Sequence, residues 1–237
     1  MSHEAFLRTI IAQPDDDLPR LVYADWLDET GRPLNVARAE FIRVQCELNR
    51  CEPDRERLAQ LLIREKTLLS LYGPAWLEPL RRKGEPLFST RSHGLFRRGF
   101  VEVVWMPAGW FLWKSELLFR RAPVTEVRIT LSTLTEFAEL MRCESLLNLE
   151  VLDFSDRRLG NAAMAEVLRS PYLGNLKTLR LRACNLSETA AEWLATTETN
   201  WNLDELDLSL NQLSKGAVEG LRRRFGNALR FSIQIEQ

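Results

Sequence analysis

Arginine and aspartate alternate at the polar position of four short apolar runs. Arg128 lies between Val127 and Ile129, Asp153 between Leu152 and Phe154, Arg180 between Leu179 and Leu181, and Asp207 between Leu206 and Leu208. On neighbouring strands about 4.8 Å apart, these side chains form a ladder of opposite charges, each pair contributing about 0.2–1 kcal/mol. Such a ladder either satisfies itself or presents Arg128, Arg180 and Arg182 as anchors for a partner, since arginine is enriched among residues that dominate binding energy. Two residues further along the same face stand Ser155, Arg182 and Ser209, and two residues before stand Glu126 and Glu205. The expected partner-binding set is therefore Glu126, Arg128, Asp153, Ser155, Arg180, Arg182, Glu205, Asp207 and Ser209. Val104, flanked on that face by Glu102 and Met106, is expected to open the series.

The inventory for catalysis is thin. The two histidines, His3 and His93, give a histidine-based triad or metal site little to build on. The four cysteines, Cys46, Cys51, Cys143 and Cys184, form no C-x-x-C pair, and no glycine motif that cradles phosphate is present. The expectation is a chain that is not an enzyme, with no catalytic residue, metal or cofactor. A net charge of -1 recommends neither nucleic acid nor membrane as a bulk partner. One basic stretch runs against that balance: Arg81, Arg82, Lys83, Arg91, Arg97 and Arg98, interleaved with Phe88 and Phe96. It supports an alternative reading as a nucleic-acid surface, because arginines and aromatics together serve phosphates and stacked bases. The simpler expectation pairs those arginines with the acidic N-terminal helices or leaves them in solvent.

The elements that position the ladder follow a fixed step of 27 residues. Leu149, Leu152, Phe154 and Leu159 superpose on Leu176, Leu179, Leu181 and Leu186, and these on Leu203, Leu206, Leu208 and Leu213. Ala163, Ala190 and Ala217 keep the same step, as do Val167, Leu194 and Leu221. Each period reads as a short strand followed by a helix that sets a small and a large residue against the sheet, and stacking supplies the core that one unit lacks. Looser steps add Val124, Val127, Ile129 and Leu134 before the clear periods, Phe100, Val103 and Trp105 before those, and Ala228, Phe231 and Ile233 at the end. About six strands result. The frame L-x-x-L-x-L-x-x-N/C-x-L resembles a leucine-rich repeat, and its spacing resembles the ribonuclease-inhibitor-like class. The Asn/Cys position holds Cys184 and Asn211 but departs at Arg157 and Ser132.

The first 80 residues read as four helices, Glu4 to Ala12, Leu18 to Glu29, Val36 to Arg50 and Asp54 to Tyr72, broken at Pro14, Gly31 to Pro33 and Pro53. Leu58, Leu61, Leu62, Lys66 and Leu69 mark the expected buried stripe of the fourth. Phe6-Leu7-Arg8, Pro14-Asp15-Asp16-Asp17, Leu21-Val22-Tyr23-Ala24-Asp25-Trp26-Leu27-Asp28-Glu29 and Glu40-Phe41-Ile42-Arg43-Val44-Gln45 follow in that order. This string resembles the repeat-companion domain of planctomycete and myxobacterial proteins, over about residues 4 to 50. The resemblance implies a helical domain placed before repeats in a family of interaction proteins. It implies no activity. Leu18, Leu21, Val22, Asp25 and Trp26 share a helical face, so Asp25 is expected to be buried and paired with Arg38 or Arg43. A ligand-binding carboxylate is the alternative.

The expected architecture is thus α/β: a helical domain over 1–80 capping a leucine-rich-repeat solenoid over 100–237, with a curved parallel sheet, joined by the basic segment 81–99. Trp105, Trp110, Phe111 and Trp113 are expected to pack where the solenoid begins, an aromatic binding platform being the alternative. The longest apolar stretch, Phe100 to Trp113, is too short to cross a bilayer core of about 30 Å. With no secretory pattern at the N-terminus, the sequence predicts a cytoplasmic adaptor whose partner is another protein in a larger assembly.

Overall fold

The structure, a computed structural model, describes residues 2–50, 54–80, 95–130 and 133–232. The chain divides into two compact units, Met1–Val104 with Leu117–Val124, and Trp105–Glu116 with Thr125–Gln237.

The first unit opens with four helices, α1 (His3–Ala12), α2 (Leu18–Glu29), α3 (Pro33–Arg50) and α4 (Arg55–Leu77). Their starts follow local chemistry. Ser2 and Asp54 accept backbone N–H groups at the starts of α1 and α4, and prolines stand in the first turns of α2 and α3. Phe6, Ile10, Tyr23, Ala24, Leu27, Ala39, Ile42, Cys46 and Phe100 form one buried cluster. The buried face of α2 is therefore Arg20, Tyr23, Ala24 and Leu27, and the expected face is turned outward, with Leu18 63% and Val22 47% exposed. Apolar residues circle this helix, so its periodicity does not choose a face. In α4 the buried set is Leu61, Leu68, Leu69, Gly73, Trp76 and Leu77, while Leu58 and Leu62 of the expected stripe are exposed. The helix runs through Pro74 to Leu77 although proline supplies no N–H to the ladder. Stacking of Trp76 on Phe41, with centroids 4.8 Å apart, anchors that last turn.

In the same unit, to which Leu117–Val124 also belongs, a hairpin follows, β1 (Phe96–Arg97) against β2 (Phe100–Val101). Its two turn residues, Arg98 at φ 48° and Gly99 at φ 85°, both take positive φ, as the right-handed twist of a two-residue hairpin requires. Gly99 also lies directly on α3, where an added Cβ would stand 2.8 Å from the Ile42 Cα.

From β3 (Val103–Met106) onward strands and helices alternate: α5 (Ala108–Arg121), β4 (Glu126–Ile129), α6 (Leu134–Met141), β5 (Val151–Asp153), α7 (Gly160–Arg169), β6 (Thr178–Arg180), α8 (Glu188–Thr196), β7 (Glu205–Asp207), α9 (Lys215–Phe225) and β8 (Leu229–Arg230). β3 to β8 form one open six-stranded sheet in chain order, with parallel pairing from β4 to β8. The chain is α/β. Leu152 pairs with Leu179 and Leu179 with Leu206, so the 27-residue step is the register of the sheet. Val127, Ile129, Leu152, Phe154, Leu179, Leu181, Leu206 and Leu208 are all buried, and Ala163, Val167, Ala190, Leu194 and Leu221 cover them from the helices.

The sequence frame fails at both ends. Thr130 donates its N–H to the Met106 carbonyl, which sets Ile129 beside Met106 and makes the inward pair Val104 and Met106, not Val103 and Trp105. Four consecutive apolar residues in β3 give alternation no parity to fix. At the other end Leu206 pairs with Leu229, two residues earlier than the frame places its partner, because α9 stops at Gly226 (φ 55°) and a short 3-10 turn leads directly into β8. Ile233 lies outside the described residues. Leu134, a frame leucine, is 58% exposed.

Candidate functional site

The registers place Arg128, Asp153, Arg180, Asp207 and Arg230 side by side across β4 to β8. With Ile129 beside Met106, Trp105 takes the place next to Arg128. Val104 does not belong to this row, because it points into the core, and Glu102 and Met106 are buried too. The row is one aromatic ring followed by five alternating charges. The Arg128 guanidinium lies 5.8 Å from the Trp105 ring centroid, close enough for a cation–π contact. Sequence reasoning missed Trp105 and Arg230 here, and the signal for both was the register of the end strands.

The charges bind one another first. Arg180 reaches Glu126 at 3.2 Å and Glu205 at 3.5 Å, Glu205 meets Arg230 at 3.8 Å, and Arg128 contacts Asp156 at 2.9 Å and Asp153 at 3.9 Å. Such partly exposed pairs contribute about 0.2–1 kcal/mol each. Asp153 and Asp207 also accept the N–H groups of Ser155 and Ser209, at 2.7 and 2.9 Å, which fixes the chain where each strand ends. Of the nine candidate residues, Glu126, Asp153, Ser155 and Ser209 are buried. Arg128, Arg180, Glu205 and Asp207 are half-buried and Arg182 is exposed. Arg182 has no carboxylate partner among the described residues, so its guanidinium is available to a ligand.

Beyond each central strand the backbone repeats as well. Asp156, Ala183 and Leu210, 27 residues apart, take φ values of 63°, 51° and 58°. None is glycine, and the left-handed region costs an L-residue roughly 1–2 kcal/mol. Each is held there by its N–H, which donates to the carbonyl of Arg182, Ser209 or Ser232 on the next period. Asn211 serves the same edge. Its Oδ1 accepts from the N–H groups of Cys184 and Leu186 at 2.9 and 3.0 Å, and its Nδ2 donates to the carbonyls of Leu181 and Leu208 at 2.7 and 3.0 Å. The Cys184 thiol donates to the Phe154 carbonyl at 3.3 Å, and burial pushes its pKa up to about 12. At the departing position, Arg157 buries its Nε with no hydrogen-bond partner among the described residues.

The other candidates fall elsewhere. Asp25 is not buried. Its side chain is 70% exposed and meets Arg43 at 2.7 Å, while Arg43 also holds Asp28 at 2.6 Å, because α2 is turned so that Arg20 faces inward in its place. Arg20 is wholly buried, 2.7 Å from the equally buried Glu102, and its Nη2 donates to the Pro14 carbonyl. Burial pushes the Arg20 pKa down and the Glu102 pKa up, each against the pull of the opposite charge. Arg98 joins this cluster with Glu102 at 2.9 Å and Asp17 at 4.0 Å. It is therefore committed inside the first unit rather than offered to phosphates. Arg97 is exposed, and Arg81, Arg82, Lys83, Arg91 and His93 lie outside the described residues. Trp105 and Trp110 are half-buried and Trp113 is 52% exposed, so of the aromatic group only Phe111 is core.

Cys46 and Cys184 are buried and Cys143 is half-buried, all as free thiols, while Cys51 lies outside the described residues. Among the described residues no group of three or more His, Cys, Asp or Glu is placed to hold a metal ion, and no helix is long and apolar enough to cross a membrane. Comparison with family models, with curated proteins and with solved structures finds no match to the chain.

Proposed function

We propose that the strand face from Trp105 to Arg230 is a protein-binding surface, and that the chain is a non-enzymatic adaptor or scaffold subunit. In this reading the periodic unit is a leucine-rich-repeat solenoid of the ribonuclease-inhibitor-like class, the helical unit is a repeat-companion domain, and the protein works in the cytoplasm. The observation that carries the reading is the row itself. Trp105 stacked beside Arg128, followed by Asp153, Arg180, Asp207 and Arg230, sets an aromatic and several arginines on one sheet face, the residue types that dominate protein interfaces. Arg182 adds an exposed guanidinium at its edge. Ion pairs with Asp153, Asp156, Glu126 and Glu205 restrain Arg128 and Arg180, which lowers the entropy lost when a partner docks. The partner matching this face is a protein segment with carboxylates spaced to reach Arg182 and Arg128 and an apolar side chain to cover Trp105.

Affinity capture from the native cell, followed by mass spectrometry, tests the reading with the triple variant R180A/R182A/D207S beside the parent chain. Loss of the captured protein by the variant, which stays folded with a melting temperature lowered only by the few degrees that the lost Arg180 and Asp207 contacts imply, supports it. Equal capture by both sinks the strand-face assignment.

A further inference from the structure

The first unit contains a cavity of about 700 Å³, a size that suits a small organic molecule. Its walls are mixed: Tyr23, Leu27 and Phe100 supply apolar surface, and Arg38 supplies a charge. The Arg38 guanidinium lies 4.9 Å from the Trp76 ring centroid, 5.2 Å from that of Phe96, 5.3 Å from that of Phe100 and 5.8 Å from that of Phe41. Four rings thus surround a cation that has no carboxylate partner among the described residues. Arginines so placed are almost always paired.

Two buried hydrogen-bond donors on residues lining this cavity, Arg38 Nη1 and Trp76 Nε1, have no acceptor among the described residues. A buried donor left unmade costs about 1–3 kcal/mol, and both orphans ask for the same thing, an acceptor atom. Arg38 keeps partial exposure toward the space it lines, although its Nη1 is enclosed. Burial lowers its pKa to about 10, so it stays charged at neutral pH. Among the described residues the other charged side chains lining the cavity are Arg8, Arg120 and Arg121 and the acid Glu4, an excess of positive charge.

We propose that this cavity binds a small organic anion with a flat apolar body, its anionic group anchored by Arg38 and accepting from Trp76 Nε1. The four rings hold the Arg38 guanidinium in place, and two of them, Trp76 and Phe100, also line the cavity and provide stacking surface for the ligand. A carboxylate and a phosphate monoester share this chemistry.

Isothermal titration calorimetry of the full chain with 2-naphthoate, 2-naphthyl phosphate and the neutral 2-naphthamide tests the assignment. Saturable one-to-one binding of an anion is expected, with the amide at least about tenfold weaker, a difference of about 1.4 kcal/mol. R38M is expected to weaken the anion at least tenfold and to leave the amide unchanged. W76F, which keeps the stacking ring and removes the N–H, is expected to weaken it several-fold and carries the comparison if R38M does not fold. Preference for naphthoate assigns a carboxylate ligand, preference for the phosphate ester assigns a phosphate, and equal affinity assigns the anion alone. No binding by any probe, equal binding of amide and anions, or anion binding unchanged in the variants overturns the proposal.

Discussion

Asn211 carries an unusual share of the periodic unit's order, so its removal has a calculable effect. Its side chain accepts from two backbone N–H groups and donates to two carbonyls, all four within 3.0 Å, and so ties the turn after β6 to the turn after β7. In Asn211→Ala those four backbone groups lose their partner. Each such bond contributes about 0.5–1.5 kcal/mol net, and the half-buried setting lets water replace some of them, so a loss of about 2–4 kcal/mol is expected. With a urea m-value of about 2 kcal/mol/M, the unfolding midpoint of this unit falls by about 1–2 M. Asn211→Asp is the sharper control. It keeps the acceptor for Cys184 and Leu186 but turns a second anionic oxygen toward the Leu181 and Leu208 carbonyls, so it should be no more stable than the alanine variant. Urea titration followed by hydrogen exchange, read over residues 181–186 and 208–212, measures both. An alanine variant within about 0.5 kcal/mol of the parent, or an aspartate variant as stable as asparagine, would refute the bonding scheme.

Gly99→Ala should destabilise the first unit by about 2 kcal/mol or more, measured as a lower melting temperature, because it adds a Cβ against the Ile42 backbone at a positive φ. At pH 8 iodoacetamide should alkylate Cys143 in the native chain but Cys46 and Cys184 only in urea, as mapped by peptide mass spectrometry, since burial pushes both buried thiols up to about 12. Burial lowers the His3 pKa below its ordinary 6.5, and the ring bonds to the Tyr23 hydroxyl at 2.8 Å. The unfolded chain therefore binds the proton more readily, so stability should fall as pH drops through 6.5 toward the lowered native value and level off below it. A urea midpoint profile of His3→Gln should lack that slope.

The central periods were readable from leucine spacing because their strands alternate buried and exposed residues and their step of 27 is also the sheet register. The end strands were not. Val103, Val104, Trp105 and Met106 are all apolar, so the pattern cannot say which pair faces inward, and that choice decided whether Trp105 joined the core or the charged row. The helix boundaries of the first unit were legible from caps and prolines, but the buried faces of α2 and α4 were not. There the spacing points to Asp25 as the buried charge where the structure buries Arg20, because spacing cannot weigh Leu18 and Val22 against the larger cluster that Tyr23, Ala24 and Leu27 join. The repeated left-handed residues Asp156, Ala183 and Leu210 carry no glycine to mark them, and only the hydrogen bonds to the next period account for them. The ring of aromatics around Arg38 draws on α3, α4 and the hairpin, residues far apart in sequence, so no local pattern announced it.

The most direct test of the strand-face reading is site-specific photo-crosslinking in the native cell, with a photoreactive residue placed at Arg182 in one chain and at Arg169 on α7 in another. Both side chains are exposed, so the comparison separates a face from mere accessibility. The account predicts one discrete crosslinked protein from position 182 and none from 169. Crosslinking from 169 alone, or the same products from both positions, would contradict it.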